Sequence, residues 1–148
     1  MNTTATAVLI TGFLIVVASQ VVISHAIADS PAAPVKETQA TLKPIGSGRS
    51  QITLLPNAAK RLDIQTSQIG QDATGKKIAP YSSVIYDLDG GTWVYTVTAP
   101  LTYVRESVVI EHITRDYAYL VDGPLAGTQI VTVGVPELYG AEVGVNGE

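Results

Sequence analysis

Pro80-Tyr81-Ser82-Ser83-Val84-Ile85-Tyr86-Asp87-Leu88-Asp89-Gly90-Gly91-Thr92-Trp93-Val94-Tyr95-Thr96-Val97-Thr98 is the stretch on which the fold class turns. Successive side chains of a strand point to opposite faces, so the run from Thr92 to Thr98 places Trp93, Tyr95 and Val97 on one face. Tyr81–Tyr86 reads as a second strand. Between the two, Asp87–Gly91 ends in two glycines, which accept the positive φ of a tight turn. Two such runs around a glycine-containing turn predict a β-hairpin, with Trp93 in the core.

The same texture continues downstream. Ala99-Pro100-Leu101 leads into Tyr103–Ile113, rich in β-branched residues, and Thr114-Arg115-Asp116 turns the chain into Tyr117–Val121. A loop over Asp122–Thr128 precedes a strand at Gln129–Val133, and the glycine-rich remainder carries at most a short helical turn at Pro136–Tyr139. Upstream, Ile52 and Leu54 sit two apart, as one strand face requires. Pro56 suits the first turn of a short helix over Asn57–Leu62, because its missing N–H has no partner there anyway. Ile64–Ile69 reads as a strand and Gly70–Gly75 as a polar break. The expectation is a mostly β, small sheet or barrel-like domain over residues 51–148 with one short helix. About 100 residues suffice for a modest core.

Ahead of that domain lies a different kind of chain. No Lys, Arg, Asp or Glu occurs from Met1 to Ala28. Ala7–Ala18 has the length of a signal-peptide hydrophobic region, about 7–15 residues, and Ala26-Ile27-Ala28 supplies the small residues of a cleavage site. Ala7–Ala28 equally matches the roughly 20 residues that span a bilayer. Residues 1–28 are therefore a signal peptide or an uncleaved N-terminal membrane anchor, and either sends the rest of the chain across a membrane. Residues 29–50 hold Pro31, Pro34, Pro44 and Gly46-Ser47-Gly48 without an aromatic, and read as a flexible linker.

Composition narrows the function classes. Nine Lys and Arg against thirteen Asp and Glu, a net charge of −4, argue against a nucleic-acid partner, which needs clustered basic residues. The absence of cysteine removes disulfides, thiolate metal sites and thiol nucleophiles. The two histidines are His25, in the export segment, and His112, and no G-x-S-x-G elbow offers a serine nucleophile. Glu111 and His112 are neighbours on a predicted strand and so are expected to face opposite ways. Asp87 and Asp89 resemble the start of a calcium loop, yet Thr98 stands where its closing Glu belongs, so both read as hairpin-turn residues. One histidine beyond the export segment, with scattered carboxylates, is poor material for zinc. No catalytic, cofactor-binding or metal residue is expected, and no cofactor. Trp93, Tyr95, Tyr103, Tyr117 and Tyr119 read as core or cross-strand packing, with a binding face as the alternative.

Three blocks resemble the membrane-proximal domain of periplasmic adaptor subunits (membrane fusion proteins) of resistance-nodulation-division (RND) efflux pumps. They are Pro80–Asp87 followed by Gly91–Val97, then Val104-Arg105-Glu106-Ser107-Val108-Val109-Ile110, then Gly127-Thr128-Gln129-Ile130-Val131-Thr132-Val133-Gly134. Ile52–Thr66 is similar to the segment that opens mature heavy-metal-type adaptors. Only Gly70–Lys77 separates Ile69 from Ile78, where a full adaptor inserts its coiled-coil hairpin, lipoyl-like and barrel domains. The resemblance therefore implies a pared-down, non-enzymatic adaptor-like subunit in the periplasm, anchored to the inner membrane if residues 1–28 stay uncleaved. It implies an inner-membrane pump subunit or a full-length adaptor as partner. Because exposed sheet edges favour strand pairing, contact is expected at an edge strand, with Tyr103–Ile113 the first candidate. The alternative class is a small periplasmic ligand-binding protein or hydrolase unrelated to efflux.

Overall fold

In the computed structural model, which describes residues 39–144, part of the expected linker is a hairpin. Strands β1 (Ala40–Gly46) and β2 (Arg49–Leu54) pair antiparallel from Ala40↔Leu54 to Gly46↔Arg49. The features that read as a tether have other uses. Gly46, Ser47 and Gly48 form the turn, with φ of 92°, 54° and 64°. Pro44 lies on an edge strand, where a missing N–H is tolerated. Ala40 and Leu42 pack on the core, so the ordered body begins before Gln51. Residues 1–28, expected to be an export segment, and residues 29–38 of the expected linker lie outside the described residues.

Helix α1 (Pro56–Arg61) follows, with Pro56 in its first turn, no side-chain cap from Leu55, and Ala58 and Ala59 buried. The remaining elements are β3 (Gln65–Gln68), β4 (Gly70–Gln71), β5 (Lys77–Pro80), a 3-10 turn at Tyr81–Ser83, β6 (Ile85–Tyr86), β7 (Thr92–Ala99), β8 (Thr102–Ser107), β9 (Val109–Ile113), β10 (Tyr117–Asp122), β11 (Gln129–Val133) and α2 (Val135–Gly144). Three expectations are corrected here. Tyr81–Tyr86 is not one strand, because Ser83 Oγ donates to the Pro80 carbonyl and the Val84 N–H to that of Tyr81, closing a helical turn. The tail is not one turn but helix α2, which makes a second helix beside α1 among the described residues. Tertiary packing holds α2 despite Gly140 and Gly144, through buried Val135, Leu138 and Glu142. Tyr103–Ile113 is two strands, broken at Val108.

The fold is mostly β, in two sheets. The larger runs β1-β2-β8-β7-β11-β3, with β6 added beside β7; the smaller runs β4-β5-β10-β9. No closed barrel forms among the described residues. The chain passes between sheets four times, and two of these passages are one-residue corners, from β3 to β4 through Ile69 and from β8 to β9 through Val108; both residues are buried. Strands that switch sheets in this way make the corners of packed sheet pairs.

Two apolar clusters result. One face of the larger sheet, with Ile52, Leu54, Tyr95, Tyr103 and Val131, is covered by α1 and α2. The second cluster joins Val94 and Ile130 of the larger sheet to Ala79, Ala118 and Leu120 of the smaller, with both corner residues. Strand β7 thus buries both faces, Tyr95 toward the helices and Val94 toward the smaller sheet. Trp93 shares the Tyr95 face but is half-buried rather than in the core, because it lies by the turn end of β7.

Candidate functional site

The densest set of charged and polar side chains lies where α2 crosses the larger sheet. Glu142, on the last turn of α2, is buried, and its carboxylate gathers three other elements. The Ser50 backbone N–H of β2 donates to Oε1 at 3.0 Å. The Tyr95 hydroxyl of β7 donates to Oε2, and Arg105 Nε of β8 stands 3.2 Å from the same oxygen. Burial, and next the bond to Glu142, push the Tyr95 hydroxyl well above the ordinary tyrosine pKa.

Arg105 is buried as well, and its guanidinium meets groups from several elements. Nη2 donates to the Gly48 carbonyl at 3.2 Å, and Nη1 is 4.0 Å from Asp87 Oδ2. Its plane lies over the Trp93 ring, 4.6 Å from the centroid, with Tyr139 of α2 at 5.5 Å. Such cation–π contacts suit a delocalised, weakly hydrated guanidinium. Arg105 is therefore unavailable to a partner protein. Its strand, β8, is interior, between β2 and β7, so only the β9 half of the expected edge is an edge.

Asp87 organises the hairpin turn, as a turn residue should. Oδ1 accepts the Gly91 N–H at 2.6 Å and the Asp89 N–H at 3.1 Å, while Oδ2 accepts Trp93 Nε1–H at 2.7 Å. Burial pushes its carboxyl up; the bonds from Trp93, Gly91 and Asp89 and the charge of Arg105 outweigh it and leave the pKa below the usual range. The chemistry of this cluster is that of a clamp. Its carboxylate and guanidinium tie β2, β7, β8, α2 and the turns at Gly48 and Asp87 together.

His112 is exposed on β9 and stacks on Tyr119, ring centroids 4.2 Å apart at 15°. Contrary to expectation, Glu111 and His112 share one side: Glu111 Oε2 lies 3.8 Å from His112 Nδ1. The reason is a β-bulge, since the register moves from His112↔Tyr119 to Ile110↔Leu120 and leaves Glu111 as the extra residue. Glu111 also pairs with Lys76, whose ammonium bond lowers the carboxyl pKa, opposed by desolvation. A hollow of about 480 Å³ beside this pair is lined by Thr74, Lys76, Lys77, Glu111, Leu120 and Val121. Its cations are engaged, Lys76 by Glu111 and Lys77 by the Gly123 carbonyl at 2.8 Å.

The five aromatics do not form one face. Tyr95 and Tyr103 are in the core under the helices, Trp93 lies on Arg105, and Tyr119 packs against His112 on the smaller sheet. No group of three or more His, Asp or Glu positioned for a metal occurs among the described residues, nor a helix long and apolar enough to cross a membrane. Comparison with protein-family models, with curated proteins and with solved structures yields no match. What sequence reasoning missed is the Arg105–Glu142 pair. Its members come from separate strand and tail segments, and no local spacing marks them as partners.

Proposed function

We propose that this chain is a non-enzymatic, adaptor-like subunit of the periplasm that acts by protein–protein contact in an RND-type efflux assembly, with an inner-membrane pump subunit or a full-length adaptor as partner. One adjacency carries the reading. The three sequence blocks that resemble adaptor membrane-proximal domains have their main parts on β6–β7, on β8 and on β11, with Pro80 and Val109-Ile110 reaching into the smaller sheet, and β8, β7 and β11 are consecutive strands of the larger sheet. The main parts of blocks distant in the chain are thus neighbours in one sheet. The charged cluster at its centre is spent on holding elements together, which fits a scaffold better than a turnover site.

The test is capture of the full chain from detergent-solubilised membranes. Recovery of an RND inner-membrane subunit or a full-length adaptor is the expected result. Recovery of neither, with unchanged drug and metal tolerance in a deletion strain, overturns the reading. Alkaline phosphatase fused behind Gly144 should be active, as export of the chain requires.

A further inference from the structure

Among the described residues the two strand orders end in four edge strands, and they are not alike. Strand β1 carries Lys43 and Pro44, β3 is Gln65-Thr66-Ser67-Gln68, and β4 has two residues. Charge, proline, polarity and shortness are the usual means of blunting an edge. Strand β9 has five residues and no proline, and its blunting is confined to the Glu111–His112 pair and the bulge there. It pairs only with β10 among the described residues, and leaves Val109 and Ile113 at 52% and 43% exposure.

Its sequence is also its own complement. Ile110-Glu111-His112-Ile113 read backwards is Ile-His-Glu-Ile. In an antiparallel pair about a two-fold axis between Glu111 and His112, Glu111 faces His112 of the second copy, and Ile110 faces Ile113. Isologous symmetry makes each contact twice. The bulge matters, because in a regular strand Glu111 and His112 would lie on opposite faces. Here they share the outer side, 3.8 Å apart, while Ile110 and Ile113 pair in register with Leu120 and Ala118, whose side chains are buried. The two polar pairs thus fall on one face of the joint and the two isoleucine pairs on the other. An imidazole N–H donates to a carboxylate in either protonation state. Lys76 bonds one oxygen of the Glu111 carboxylate, Oε2.

We propose that β9 is a self-pairing edge through which two copies of this chain join their smaller sheets into one continuous sheet. The proposal goes beyond the adaptor reading and does not depend on it. Sedimentation equilibrium of the full chain in density-matched detergent tests it, on wild type, Glu111→Lys, His112→Glu and the exchange variant Glu111→His with His112→Glu. Glu111 and His112 side chains are 44% and 51% exposed, so each variant should keep the far-UV spectrum of wild type. The expected result is a wild-type dimer, weakened about tenfold in each single variant by unmatched cross-strand pairs and restored in the exchange variant. A wild-type monomer overturns the proposal. So does a dimer indifferent to all three variants, as joining through residues 1–28 would give, or an exchange variant as weak as the singles. Capture of β9 by a strand of a pump subunit in place of a second copy also overturns it.

Discussion

Arg105 Nε lies 3.2 Å from Glu142 Oε2, with the two side chains 8% and 2% exposed. A buried ion pair is not in itself a large source of stability, because desolvation offsets the attraction. Its loss on one side is another matter, since the remaining charge is left without compensation. Glu142→Ala is expected to cost about 3–5 kcal/mol in denaturant unfolding. The double variant Glu142→Leu with Arg105→Met should recover only part of that loss, because the Tyr95 hydroxyl and Ser50 N–H still lack their acceptor. A double-mutant cycle reads the coupling directly, and a cost below about 1 kcal/mol for Glu142→Ala would remove the clamp role.

The Tyr95 hydroxyl gives the same cluster an alkaline signature. Burial, then the bond to Glu142, raise its pKa above the ordinary value of 10.0. A group whose pKa is raised by folding stabilises the native state fully below the unfolded value. That stability is lost as pH rises from about 10 toward the folded value. Wild type should therefore lose stability above pH 10 more steeply than Tyr95→Phe. Equal slopes would mean that Tyr95 ionises as freely folded as unfolded.

Asp87 supplies the acid counterpart. Its depressed pKa means that its contribution is present above the ordinary aspartate value of 3.8 and is lost as pH falls through the folded value. Because Asp87 Oδ2 accepts the Trp93 indole N–H, the emission of Trp93 reports on its protonation. An emission change below about pH 4 is expected in wild type and absent in Asp87→Asn. An identical acid transition in both would detach Trp93 from this turn.

The strands were legible where one face is apolar and the turns are marked by glycine. The alternation of Trp93, Tyr95 and Val97 and the break at Gly90-Gly91 lead to β7 and its hairpin directly. Composition misled where a residue type has two uses: Gly46-Ser47-Gly48 serves a turn as readily as a tether, and Pro44 sits on an edge strand without cost. The length of α2 was hidden because its glycines argue against a helix and only packing of Leu138 and Val135 on the sheet supports one. The clamp was hidden for a related reason. Ser50, Tyr95, Arg105 and Glu142 meet only after the larger sheet and α2 have assembled, so nothing local in the sequence announces them. The side-sharing of Glu111 and His112 depends on a bulge, and period-two reasoning has no place for an extra residue.

Gly134 tests how α2 is launched. It joins β11 to α2 with φ of 86°, a left-handed backbone that costs a residue with a Cβ about 1–2 kcal/mol. A Cβ here would also stand 2.2 Å from Ile64 Cδ1 and 3.3 Å from the Leu62 carbonyl oxygen. The isoleucine methyl can swing aside; the backbone oxygen yields less readily. Gly134→Ala should therefore destabilise the domain by more than the backbone term alone, roughly 2–3 kcal/mol in denaturant unfolding. Adding Ile64→Val, which removes that methyl, should return part of the loss. If the second substitution instead adds its own full cost, the strain lies in the backbone and not against Ile64.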